Sequence, residues 1–267
     1  MEEIWYQSKT APTKYALLAG DGCHPDEADA LQKYLECEYG VQEAAKKITE
    51  PILSEANPKE SFYRLWALLC DALVELSDEE CQKTIELLLA IQHLPSTEYF
   101  EWKELPGFGN MWHDLYQMHL DGPCTWEKEN LTDERREELR RHFRRIGGVE
   151  AQLCLRGIGD IPLSWGFDVV NLVAQNRNGL DVLLSEVEVW LEVAGEELKG
   201  EVGKQSDEVR WYTRRVAQSA GGKQQSVGAA LEEHWVVWKE RLMEMMEDGS
   251  GLSDEGRKLA ARCYDRM

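Results

Sequence analysis

Phe62-Tyr-Arg-Leu-Trp-Ala-Leu-Leu-Cys-Asp-Ala-Leu-Val-Glu-Leu76, followed without a break by Ser77-Asp-Glu-Glu80, is the stretch on which the fold of this chain turns. Phe62, Leu65, Trp66, Leu69, Ala72, Leu73 and Leu76 recur at steps of three and four, which aligns them on one face of an α-helix. Upstream, Asn57 can cap, Pro58 suits a first helical position and Glu60 completes a box-like pattern, so the helix is expected to start there. Ser77 with Glu80 forms a second capping box and opens a helix that turns Cys81, Ile85, Leu88 and Leu89 inward. A connection this short makes the two helices antiparallel neighbours.

The same period runs outward in both directions. Leu180, Leu183, Leu184, Val187, Trp190, Leu191, Ala194 and Leu198 form an unbroken apolar stripe, with Glu186, Glu188, Glu192 and Glu197 expected mostly to face away from it. Val227, Leu231, Trp235, Trp238, Leu242 and Met245 form another. Shorter helices are expected over 25–37, 42–54, 132–155, 165–175, 207–217 and 253–264. Sustained two-residue alternation is missing, and Asp21-Gly22 and Asp121-Gly122 precede irregular loops rather than joining strands. The fold class is therefore all-α, an irregular bundle of about ten to twelve helices built from antiparallel pairs. A single domain over 1–267 is expected, with a candidate subdomain break near 121–131, where Asp-Gly-Pro and a polar stretch separate two helical blocks.

Fifty Asp plus Glu against thirty Lys plus Arg leave a formal charge of -20, which disfavours binding to nucleic acid or an anionic membrane. At 43% apolar, with ten Trp, the composition supports a packed core rather than disorder. The seven cysteines include no close CxxC pair, the amino terminus is acidic, and no apolar run approaches the roughly 18 residues that cross a bilayer. A reducing, cytoplasmic address is expected.

Arg64–Leu73, Thr84–Pro95, the aromatic loop Trp102-Lys-Glu-Leu-Pro-Gly-Phe-Gly-Asn-Met-Trp112, and Gly157–Gly166 together resemble a domain-of-unknown-function family common in filamentous ascomycete fungi. The resemblance runs from about Ala44 to Leu198, and the loop ending at Trp112 is its most specific part. It implies a mostly helical protein and carries no catalytic motif across to this chain.

HExxH, GxSxG, Walker, EF-hand and DDxxD patterns are all missing, so neither a metal site nor a cofactor is expected. Gly157-Ile-Gly159 starts like a dinucleotide fingerprint, but Pro162 stands where the third glycine belongs and no strand precedes it, which makes the segment a tight loop. The charge run Asp133–Arg145 places acids first and bases last, as a solvated helix would. Cys124, after Gly122-Pro123, is the thiol expected in a loop, with no base adjacent in sequence.

Two patterns are candidates for chemistry. Trp102, Phe108, Trp112, His113, Tyr116 and His119 fall within eighteen residues; if Asn110 caps a helix, Trp112, Leu115, Tyr116 and His119 share a face. Imidazole and phenol between aromatic walls suit proton transfer or carbonyl polarisation, and they equally suit a core. In the helix beginning near Trp165, Ser164, Asp168, Asn171 and Gln175 form one polar seam, which either faces water, bonds neighbouring helices or lines a cavity. The first functional expectation is a non-enzymatic module that contacts a protein partner. The alternative is a cofactor-independent isomerase, cyclase, hydrolase or binder of an apolar metabolite. In it His113, Tyr116 and Asp168 are the catalytic candidates, and Trp102, Phe108, Trp112, Trp165 and Asn171 contact substrate. Oligomeric state is left open.

Overall fold

The periodic stripes fold as helices throughout the computed structural model, which describes residues 2–98, 101–117, 131–174, 179–219 and 231–267. Among these the fold is all-α; the extended pairing present is one isolated parallel bridge, Thr10 with Cys23. The chain divides into two compact units, one of Met1–Met118 with Gly157–Asp160 and the other of His119–Arg156 with Ile161–Met267. His119, Cys124, Gln175 and all of the candidate break except Leu131 lie outside the described residues.

Unit 1 holds α1 (Glu2–Lys9), α2 (Lys14–Ala19), α3 (Pro25–Leu35), α4 (Val41–Leu53), α5 (Phe62–Glu75), α6 (Asp78–Gln92) and the short α7 (Phe108–Trp112). The two helices of the opening stretch pack on each other across Leu76-Ser77. The expected box is present: Ser77 Oγ accepts the Glu80 N–H while Glu80 Oε2 accepts the Ser77 N–H. The upstream start is different. Asn57 makes no side-chain cap, and Pro58–Glu60 is a single 3-10 turn that ends before α5 begins at Phe62.

Unit 2 holds α8 (Asp133–Leu155), α9 (Ser164–Asn171), α10 (Leu180–Glu201), α11 (Asp207–Ser219), α12 (Leu231–Met245) and α13 (Asp254–Arg266). Thr132 and Ser253 cap α8 and α13 with their hydroxyls. Helix α10 is the centre of this unit, packed by α8, α9 and α13. It bends at Ala194, whose φ of -125° leaves the helical range.

The central position of α10 overturns one expectation. Glu192 and Glu197 are exposed, but Glu186 and Glu188 are buried. Where a helix is covered on several sides, its polar face is enclosed too, and a carboxylate persists there only when cations accompany it. Glu188 meets Arg144 of α8 together with Arg262 and Arg266 of α13, the last two at 3.4 Å each.

Candidate functional site

The aromatic segment contributes three large side chains to the core of unit 1. Trp102 opens a 3-10 turn (Trp102–Glu104), Gly107 precedes α7, and α7 runs into a π turn over His113–Gln117. Asn110 therefore lies inside α7 and is not its cap. Trp102, Phe108 and Trp112 are at most 1% exposed, so these three walls are sealed by packing. The Trp66 ring stacks on Phe62 at 5.8 Å and meets Phe108 edge-on at 5.7 Å, and its Nε1 donates to the Pro106 carbonyl. The Gly157–Asp160 loop closes over this cluster. Gly159 has φ +68°, and a Cβ there would come within 2.3 Å of Phe108 Cδ1, which is why the tight loop needs glycine.

The π turn changes which residues share a face. Its wider winding leaves Leu115 exposed while Trp112 is buried, so the expected grouping of Trp112 with Leu115 does not form. Tyr116 turns inward: its hydroxyl donates to Asp71 Oδ1 at 3.0 Å, and Asp71 also accepts Lys9 Nζ at 2.7 Å. Burial, with the Asp71 charge beside it, pushes the Tyr116 phenol far above its ordinary range. His113 is part exposed, with Nδ1 3.7 Å from Asp114.

The polar seam of α9 lies in unit 2, as does half-buried Trp165. Its residues bond neighbouring helices. Asp168 pairs with Arg215 of α11, Asn171 Oδ1 accepts Trp238 Nε1 of α12 at 3.0 Å, and the Ser164 N–H donates to Glu208 at 3.3 Å. Tyr212, which the sequence reading passed over, packs among Phe167, His234 and Trp238 with centroids 5.3, 5.9 and 6.3 Å away. Burial drives the Tyr212 phenol up, and it lowers the pKa of His234. His113 and Tyr116 thus fall in unit 1, and Asp168, Asn171 and Trp165 in unit 2.

A concave feature of unit 1 lies elsewhere, in a place the sequence reading did not single out. Thr10 and Cys23 pair through Ala11 N–H to the Cys23 carbonyl at 3.0 Å and Cys23 N–H to the Lys9 carbonyl at 2.8 Å. The intervening residues are looped out by this bridge and carry α2, a helix marked in the sequence only by the Thr13 cap and the Gly20 end. Gly22, at φ +114°, makes the return possible; a Cβ there would sit 2.7 Å from Ala11 N. Arg64 of α5, 5% exposed, fastens α2 by donating to the Leu17 carbonyl at 3.0 Å and to Glu55 at 2.7 Å.

Between this loop, the start of α3 and the end of α4 lies a groove of about 930 Å³. Its lip includes Pro12 and Leu18, its far sides Asp26, Asp29 and Glu50, and most of these side chains are open to water. Of α2, only Ala16 is buried; Tyr15 is 82% and Leu18 67% exposed. Behind the groove, Glu27 is 1% exposed and caps α3, its Oε2 accepting the His24 N–H at 2.8 Å. Burial pushes this carboxyl up to about 7, against the opposing pull of the cap hydrogen bond and Arg64.

The family described as "Protein of unknown function (DUF3632)" matches residues 66–242, more than half of the 267-residue chain, and the chain belongs to that family. The residues that line the groove all fall between positions 11 and 55 and precede the matched segment. No curated protein and no solved structure matches the chain.

Proposed function

We propose that this member of the DUF3632 family is a protein-interaction module and that the groove beside α2 is where its partner docks. The observation that carries the reading is Leu18, which lines the groove and is 67% exposed, with Tyr15 exposed beside it on the same helix though outside the groove's lining. Two large apolar side chains stand in water on a six-residue helix whose place is fixed by a backbone bridge and a buried arginine. Exposed apolar surface gathered at a concave feature marks a contact site more often than chance scatter does. No helix among the described residues is long and apolar enough to cross a membrane, so Tyr15 and Leu18 are not the edge of a spanning segment. The test is photo-crosslinking from a benzophenone side chain placed at position 15 in the source cell. The expected result is one dominant protein adduct that disappears in Leu18→Ser. Labelling that stays diffuse and indifferent to Leu18→Ser would remove the reading.

A second reading is favoured by the π turn, since such turns recur at functional sites. In it His113, part exposed on that turn, exchanges a proton with an apolar metabolite while Tyr116, held on Asp71, orients it. Native mass spectrometry of the purified chain tests this. The reading expects a bound small molecule that His113→Ala fails to retain, and a chain that carries none rejects it.

A further inference from the structure

We propose that Glu27 is a proton-operated latch on α2: while its carboxyl holds a proton, Arg64 keeps the helix fastened, and once the proton is lost, α2 comes away from the body of unit 1. The latch is a property of α2 itself and requires no partner in the groove. Its geometry is a meeting of anchors. The looped-out segment that carries α2 is held by the Thr10–Cys23 bridge and by Arg64, whose Nη1 donates to the Leu17 carbonyl. Glu27 engages both. Its Oε2 accepts the N–H of His24, the residue that follows the bridge, and Arg64 is the cation that acts on its charge. Among the described residues, Glu27 Oε1 and Arg64 Nε have no hydrogen-bond partner, although the two residues are only 1% and 5% exposed.

A neutral carboxyl tolerates this enclosure, which is why burial pushes its pKa up to about 7. A carboxylate does not, because a buried charge needs water or a donated hydrogen bond on each oxygen. Arg64 Nε is a donor left over in the same cluster. The guanidinium is a rigid planar fork, so turning Nε onto Glu27 swings Nη1 off the Leu17 carbonyl. Entry of water loosens the same cover. Either response undoes the hydrogen bond that fastens a helix burying only Ala16.

The surrounding groups do not relieve Glu27 otherwise. Glu55 and Asp26 repel its charge, and burial pushes the neighbouring Cys23 thiol up to about 12, so it stays neutral. His24 Nδ1 is occupied as the acceptor of the Asp26 N–H. Of the other helices packed on α3, α1, α4 and α6 bring Lys9, Lys47 and Lys83, whose ammoniums lie on Asp71, Glu50 and Glu79.

Hydrogen exchange of the full chain at pH 6 and pH 8 tests the latch, read as protection factors so that the pH dependence of exchange chemistry is divided out. The reporters are the Leu17, Gly20 and Asp21 amides, which donate within the loop. They are expected to be far less protected than the amides of α5 and α6, which marks a local opening. A carboxyl that titrates near 7 when closed and near 4.5 when opened should cost them about tenfold in protection between the two pH values. Equal protection at both would show that α2 opens without Glu27 and overturn the latch. So would protection matching that of α5 and α6 at each pH, since α2 would then be released only by global unfolding. The native chain alone decides these outcomes, and Glu27→Gln assigns the group. In that variant the loop should keep its protection within about twofold across the range. A tenfold fall that survives in Glu27→Gln would belong to another group, such as His24, and would overturn the proposal.

Discussion

Both units pair buried polar groups between helices, and they differ in that unit 1 also carries an open groove. In unit 2 the polar seam of α9 is used up between helices: Asp168 on Arg215, Asn171 on the Trp238 indole, Glu188 among three arginines. In unit 1 an aromatic cluster fills part of an otherwise aliphatic interior, Tyr116 is likewise held on Asp71, and charged and apolar side chains are left together in water around the groove. The contrast teaches that a polar residue on an apolar helix is weak evidence for a ligand. In a bundle of long helices its commonest use is to satisfy a neighbouring helix, because a buried carboxylate left unpaired bears its whole desolvation penalty with nothing to offset it. An apolar residue left exposed on a well-anchored helix has no such internal explanation.

The strongest attack on the aromatic half of this comparison is Trp66→Ala. With Trp66 1% exposed, stacked on Phe62 and hydrogen-bonded to Pro106, truncation should cost about 3–5 kcal/mol, read as a lowered denaturant midpoint. A loss under about 1 kcal/mol would mean that the cluster is not part of the core of unit 1.

Glu27→Gln sharpens the view of what lies behind the groove. The folded carboxyl titrates near 7 while an unperturbed one titrates near 4.5, so the group favours the fold fully only below the lower value. As pH rises from about 4.5 to about 7 the unfolded chain gives up this proton first, and the penalty of holding it grows. Gln, which keeps an acceptor for the His24 N–H, avoids that penalty. Its stability advantage over the native chain should therefore appear across that window and level off above 7, reaching at most about 3 kcal/mol. A difference independent of pH would exclude a buried, titrating Glu27.

Glu188→Gln tests the arginine trap in unit 2. Its arginines are partly exposed, which limits the effect to about 2 kcal/mol, smaller at high salt. Chemical denaturation at two ionic strengths reads it, and a variant as stable as the native chain would show that the three-arginine arrangement is ornamental. The smallest stability change is expected for Leu18→Ser, within about 0.5 kcal/mol because the side chain is 67% exposed. A large loss would place Leu18 among the structural residues and take away the reason for assigning a partner to the groove.

Much of the candidate site was out of reach of sequence reasoning. Helix α2 is six residues long, too short for a periodic stripe, and the bridge that anchors it joins residues thirteen apart. The burial of Glu186 and Glu188 was equally invisible, since their spacing matches an exposed face and the arginines that meet Glu188 come from α8 and α13. For Leu115, a register change inside one turn was enough to defeat the expected grouping.

Local physics settled the helices themselves. The three-and-four spacing, the Ser77 box and the caps Thr132 and Ser253 follow from backbone geometry within a few residues, and they fix where chains coil and which side is apolar. What covers each side is a matter of contacts between segments distant in the chain. That is why the sealing of Trp102, Phe108 and Trp112, the pairing of the α9 seam and the open groove at α2 were decided by the tertiary structure alone.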